Sequence, residues 1–253
     1  MTFCIGICVD AGVVALSDTR IVRGSQISVK AKLSSLSSGD RSAVLMTSGL
    51  RSVRDKVAHR VQDQLDSRPV HRMHQLATGW GDRLREVRAE DGPSLADAGF
   101  TFNSHALIGG RLLDDERPLL LHVYPEGNWV EATADDPSII IGRSNYGKPI
   151  LDRLLRSDTP LDQAATLAYL AFDATRTSAN DVDFPIDVAV IPHTASAFTI
   201  RRFTERDLQP QHDAWNQSLS DALDSVPSDW ASELIDPPQQ PPPTDVPTEK
   251  DAP

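Results

Sequence analysis

The sequence predicts an α+β fold, a four-layer αββα sandwich of two antiparallel sheets with helices layered outside. Three observations predict it. Strand-like and helix-like segments run in blocks instead of alternating one for one. The first two strand segments are apolar on both faces, so the sheet they form must be covered on both sides. The helical segments carry apolar residues at helical spacing with charges between them, as outer-layer helices do. One domain is expected over residues 2–235, followed by a disordered, acidic, Pro-rich tail over 236–253.

TFCIGICV and GVVALSD flank Asp10-Ala11-Gly12, a hairpin signal. ISVKAKLSSL and SAVLMTS read as two more strands, with Lys32 inside the first of them. From Gly49 to Ser67, Leu50, Val53, Val57, Val61 and Leu65 fall on one helical face. A second amphipathic stretch runs from Val70 to Arg88 and is expected to stop before Asp91-Gly92-Pro93. TFNSHALIGGRLL, PLLLHVY and NWVEAT then read as a meander, with Pro125-Glu126-Gly127 as one turn. SIIIG reads as a short buried strand, followed by helices at Pro149–Arg156 and Leu161–Arg176. FPIDVAVI and AFTIRRF close a sheet, and a last helix is expected over Arg206–Leu223. From Asp236 the chain has seven prolines in eighteen residues and almost no apolar side chain, which cannot offset the entropy of ordering.

The 253 residues, 40% of them hydrophobic, suffice for a substantial core. A net charge of −11, with Lys and Arg scattered among acids, argues against a nucleic-acid partner. No apolar run reaches the roughly 20 residues that span a bilayer, and the start lacks the basic flank of a signal peptide, so no membrane partner and a cytoplasmic location are expected. Cys4 and Cys8 share a strand face about 13 Å apart, too far for a disulfide, and read as buried thiols in a reducing compartment.

The chemistry centres on the start of the chain. Removal of Met1 would leave Thr2 with a hydroxyl nucleophile and a free α-amine, a complete nucleophile and base, since the amine's reference pKa is about 7.7–8.0. Asp18 ends the second strand with its partner Arg20 two residues on, Lys32 lies within the third strand among apolar neighbours, and buried charges need partners. Placed side by side near Thr2, the ammonium favours loss of a proton from the amine or hydroxyl and the carboxylate orients the lysine. The bland alternative is an exposed hairpin-end Asp and an edge-strand Lys. VLMTSGLRSV is strand, turn and helix, which aims N–H groups around Gly49 toward an oxyanion.

TFCIGICVDAGVVALSDTR, the strand with Lys32, and TSGL leading into a helix resemble the proteasome β-type subunits of the N-terminal nucleophile hydrolases. SDTR, IGRSNYGKPILDRLL and FPIDVAVI make the chain most similar to the bacterial Anbu family, over about residues 2–235. The resemblance implies Thr2 as nucleophile, Asp18 and Lys32 as its activating pair, Gly49 as the oxyanion amide and Arg20 as a brace. It places a supporting serine in the loop after SIIIG, at Ser144 or with Arg143 as the positional equivalent, and a second supporting group at Ser178 or Asp181. It implies a pocket for the residue before the scissile bond lined by Ile21, Lys30, Ser34, Thr47 and Arg51, a polar mixture without simple hydrophobic preference. It implies a threonine-type endopeptidase with no cofactor and no metal, acting on peptide or unfolded protein, and a homo-oligomer built as a ring or an open helical stack. An ATP-dependent unfoldase partner stays unknown. The alternatives are a self-assembling scaffold with a weak or inactive site, and a small-molecule amidase of the same fold.

Three other signals are set aside. Gly142 to Lys148 has phosphate-loop spacing, but Pro149 stands where a Mg-binding hydroxyl belongs. His71 and His74 could ligate a metal, yet no further ligands cluster with them. The seven dispersed histidines form no evident Ser-His-Asp arrangement.

Overall fold

A computed structural model of the chain describes residues 2–39, 41–195 and 197–235; the expected tail over 236–253 lies outside the described residues. Strands β1 (Phe3–Val9) and β2 (Gly12–Asp18) form the expected antiparallel hairpin. Every β2 residue is buried, because both faces of this sheet are covered. Short β3 (Arg20–Arg23) and β4 (Gln26–Val29) make a separate two-stranded ribbon whose β4 is exposed. Strands β5 (Leu33–Ser38) and β6 (Arg41–Gly49) begin the second sheet and lead into helices α1 (Arg51–Ser67) and α2 (Met73–Asp97).

The meander β7 (Ser104–Gly110), β8 (Leu119–Val123) and β9 (Trp129–Glu131) completes that sheet in the order β5-β6-β7-β8-β9. The chain then returns to the first sheet through β10 (Ser138–Gly142), helices α3 (Lys148–Leu154) and α4 (Leu161–Ser178), β11 (Ile186–Pro192) and β12 (Ile200–Phe203). Its order is β10-β1-β2-β11-β12, all antiparallel.

Alternation builds the layers. On β6, Val44 and Met46 turn inward to Cys4, Val13 and Leu120 between the sheets, while Ala43 and Leu45 turn outward to Val57 and Trp80 of α1 and α2. On β1, Phe3 turns outward to Phe172 of α4 at a ring distance of 6.1 Å. Helices α1 and α2 thus cover the second sheet and α4 the first, the predicted αββα sandwich. Each fully buried large apolar side chain in these layers stabilises the fold by about 1.5–3 kcal/mol relative to exposure.

Several boundaries differ from the sequence reading. Lys32 is not inside a strand: residues 30–32 form the link between β4 and β5, because β4 belongs to the two-stranded ribbon and β5 to the core sheet. Helix α2 runs through Gly92 and Pro93 instead of stopping before them. Lys56 of α1 pairs with Glu90 at 2.8 Å and Asp91 at 2.9 Å, and Leu95 packs on the core, so tertiary contacts override the breakers. SIIIG is an edge strand, only partly buried.

The single expected domain to residue 235 is divided by its own contacts into two compact units, one running to Leu208 and one starting at Gln209. Helix α5 (Glu205–Ser225) continues across that division, and a further helix, α6 (Asp229–Ile235), was not anticipated.

Candidate active site

Strand β1 delivers Thr2 to the space between the sheets. The alternation that turns Cys4 and Cys8 toward the second sheet puts Thr2 on the same side, one residue before the strand starts. Its main chain is held from both flanks. The Phe3 N–H donates to Asp18 Oδ1 at 2.8 Å, and the Thr2 carbonyl accepts the Arg143 N–H at 2.8 Å. Gly142, at φ +93°, lies so close that a Cβ there would sit 1.8 Å from the Thr2 carbonyl oxygen, so only glycine permits this approach.

Asp18 is fully buried and Lys32 is 7% exposed. Lys32 Nζ donates to Asp18 Oδ1 at 2.6 Å and to the Arg20 carbonyl at 2.7 Å. Burial pushes the Asp18 carboxyl up, and although Lys32 and the Phe3 N–H pull it back, it stays at about 6. Its second oxygen, Oδ2, has no hydrogen-bond partner, which is part of why the ionised form is costly.

The end of β2 is bolted to the loop before β11. Thr19 donates its N–H and its hydroxyl to the Pro185 carbonyl, at 3.1 and 2.6 Å. Arg20 pairs with Asp183 at 2.9 Å and donates to the Asn180 carbonyl at 3.2 Å. The arginine therefore ties the end of β2 to residues 180–183 with its side chain and accepts the Lys32 ammonium on its main-chain carbonyl.

On the opposite wall β6 ends in Gly49, at φ +106°, where a Cβ would meet the Asn103 carbonyl at 1.8 Å. Leu50 N–H donates to that same carbonyl at 3.2 Å, which turns the chain into α1. Between these walls lies a cleft of about 430 Å³, lined by Thr2, Lys32 and Gly49 together with Ile21, Thr47 and Arg51. Leu50, Arg54 and Asn103 also line it and were missed in the sequence. Lys30 and Ser34 do not; both are exposed, because the break at residues 30–32 resets the strand alternation assumed for them.

The remaining candidates separate. Asp181 pairs with Arg143 at 3.2 Å, so it is linked to Thr2 through the residue that holds the Thr2 carbonyl. Burial raises the Asp181 carboxyl, but Arg143 and the positive charge of the chain's amino terminus together outweigh it, and the group sits below the usual range. Ser178 is exposed at the end of α4. Ser144 lines a different and larger cavity of about 680 Å³ between β8, β9 and β10, with His122 and Tyr124. There His105 and His122 face each other at 3.0 Å, and burial presses His122 down to about 4. Thr2 does not line that cavity; it lines the smaller cleft.

The cysteines offer no rival nucleophile. Burial drives the Cys4 thiol upward and Cys8 to about 11, which suppresses the thiolate. Cys8 is only partly buried, unlike the expectation for both. His71 faces Asp114 at 3.7 Å, and His74 faces Glu131 at 2.8 Å while stacking on Trp129. Among the described residues no group of three or more His, Cys, Asp or Glu is placed to hold a metal ion.

Residues 2–191 match the family model for proteasome subunits. None of the curated proteins matches the chain. Among solved structures the chain is similar to an Anbu (Gly-1) mutant from Hyphomicrobium sp. strain MC1, with 32% identity, a TM-score of 0.81, and coverage of 90% of this chain and 99% of that one. Anbu (ancestral beta-subunit) from Yersinia bercovieri matches with 32% identity, a TM-score of 0.79, and coverage of 89% and 98%. The helical assembly of the Anbu complex from Pseudomonas aeruginosa matches with 30% identity, a TM-score of 0.82, and coverage of 89% and 97%. With this fold, and with the two sheets meeting at Thr2, the chain belongs to the proteasome subunit family, among its bacterial Anbu members.

Proposed function

We propose that the protein is a threonine-type endopeptidase whose nucleophile is Thr2 after removal of Met1. The observation that carries this reading is the buried Asp18–Lys32 pair, which opens onto the cleft that holds Thr2 and Gly49. The Thr2 α-amine takes the hydroxyl proton as Oγ attacks the scissile carbonyl, and the carbonyl oxygen becomes an oxyanion facing the Gly49 N–H. Collapse breaks the C–N bond, and the leaving amine takes the proton back from the Thr2 ammonium. Water then attacks the ester and gives its proton to the same amine. That proton returns to Oγ as the acid leaves. Lys32 lowers the cost of deprotonating Thr2 by placing a positive charge beside the cleft, and Asp18 and Arg20 hold it there.

The solved helical assembly of the Pseudomonas aeruginosa Anbu complex supports a further part of this reading, that copies of this chain assemble with one another. The free, buried Cys4 is in keeping with a reducing, cytoplasmic setting.

Intact mass before and after a peptide epoxyketone tests the proposal, because that reagent requires both the hydroxyl and the free amine of an N-terminal threonine. Loss of methionine with one adduct, absent in Thr2→Ala, is the expected result. Loss of methionine with no adduct would replace the peptidase reading by that of a scaffold.

A further inference from the structure

We infer that the cleft selects an acidic side chain, Glu or Asp, on the acyl side of the scissile bond. The inference rests on Thr2 being the nucleophile and names the substrate class of that same site. Three cationic side chains line the cleft, Lys32, Arg51 and Arg54, and no carboxylate lines it. This is the reverse of the molecule as a whole, whose 36 acids outnumber its 25 bases.

The cations are not equally neutralised. Lys32 is matched by Asp18. Arg51 and Arg54 both lean on one carboxylate, Asp55: Arg51 Nε lies 3.2 Å from Asp55 Oδ2, and Arg54 Nε donates to Asp55 Oδ1 at 2.8 Å. Among the described residues no other carboxylate pairs with either guanidinium. Two positive charges thus share one negative charge, and the pair carries a net charge of about +1 at the wall of the cleft.

Each guanidinium still has donors to offer an incoming carboxylate. Arg54 spends one on the Ala31 carbonyl at 3.3 Å, which fixes its side chain, while Arg51 is about half exposed and can turn. Ile21, Val22 and Leu50 line the same cleft, an apolar lining suited to the methylenes of a side chain whose end is charged. A basic side chain would meet three cations there. A purely apolar one would gain nothing from the donors the guanidiniums still have to offer.

The test uses the full-length protein with Met1 removed and four peptide epoxyketones identical except at the terminal side chain, which is Glu, Gln, Leu or Arg. The rate of Thr2 adduct formation is read by intact mass. Glu should react faster than Gln by at least about fivefold at low ionic strength, a ratio within reach of one partly exposed ion pair, and salt should shrink it. Arg51→Gln and the double change with Arg54→Gln should bring Glu and Gln together without abolishing the Leu reaction. Arg51 is exposed enough that its single variant keeps the fold. Equal Glu and Gln rates, a preference for Leu or Arg, or an unchanged Glu preference in the double variant would overturn the inference while leaving the nucleophile intact. Absence of any adduct from all four probes would remove the nucleophile itself, and the inference with it.

Discussion

Lys32 Nζ lies 2.6 Å from Asp18 Oδ1, the same oxygen that accepts the Phe3 N–H at 2.8 Å. One carboxylate oxygen therefore fixes both the Lys32 ammonium and the strand that carries Thr2. Any change to that oxygen acts on the two together.

Asp18→Asn keeps an acceptor but removes the charge, so Lys32 is left less firmly oriented. Adduct formation at Thr2 should fall by about 100-fold or more, a loss typical of a displaced proton-transfer group. Mass spectrometry of the epoxyketone reaction measures it, and a rate within threefold of the unmodified chain would show that the pair is structural.

The rate should fall on acidification in two stages. The first follows the Thr2 amine, whose reference is about 7.7–8.0, and the second follows Asp18 at about 6. A plot of log rate against pH should therefore steepen below about 6. A single slope down to pH 5 would place Asp18 outside the reaction.

Stability should respond to the same pH range with opposing signs. Asp18 holds its proton more tightly folded than at its ordinary 3.8, so its contribution is full below 3.8 and declines as pH rises through about 6. His122 is depressed from 6.5 to about 4, so its contribution is full above 6.5 and is lost as pH falls toward 4. In His122→Gln only the Asp18 contribution remains, so the denaturant midpoint at pH 5 should rise relative to that at pH 7, compared with the same difference in the unmodified chain. An unchanged difference would mean that His122 does not gain its proton on unfolding.

Gly142→Ala should destabilise the protein by about 1–3 kcal/mol through backbone strain and should slow Thr2 modification as well, since the new Cβ would collide with the Thr2 carbonyl. Gly24→Ala is the control. It has a positive φ of +56° but nothing within 4 Å, so its cost should stay near about 1 kcal/mol and the rate should hold. Thermal unfolding and adduct rate, taken together, separate the two.

Asp181→Asn should change stability by less than about 1 kcal/mol, because its partner Arg143 is partly exposed. The adduct rate should nonetheless drop, since Arg143 holds the Thr2 carbonyl. Equal rates would confine the pair to a surface role.

The layered fold was legible because β1 and β2 are apolar on both faces and the helices repeat their stripes, which leaves few ways to cover the sheets. Lys32 was legible as a charge among apolar neighbours, and Asp18 as a charge at a strand end, although the partner read for Asp18, Arg20, pairs instead with Asp183 while Asp18 takes Lys32. What the sequence hid depends on breaks and distance. The link at residues 30–32 interrupts the alternation from which Lys30 and Ser34 were placed in the pocket, and Pro93 stays helical because α1 holds that turn. The Arg143–Asp181 pair joins residues 38 apart through two elements, and no local pattern announces it. Arg54 was overlooked because α1 reads as a simple amphipathic helix, although its first turn borders the cleft.

The grip on β1 begins at the Phe3 N–H, downstream of the peptide bond that joins Met1 to Thr2. Trimming that bond need not disturb the anchor, so folding and unmasking are separable events. On the proposed reading the scaffold is complete while Thr2 is still capped, and loss of Met1, not folding, sets when its amine becomes free.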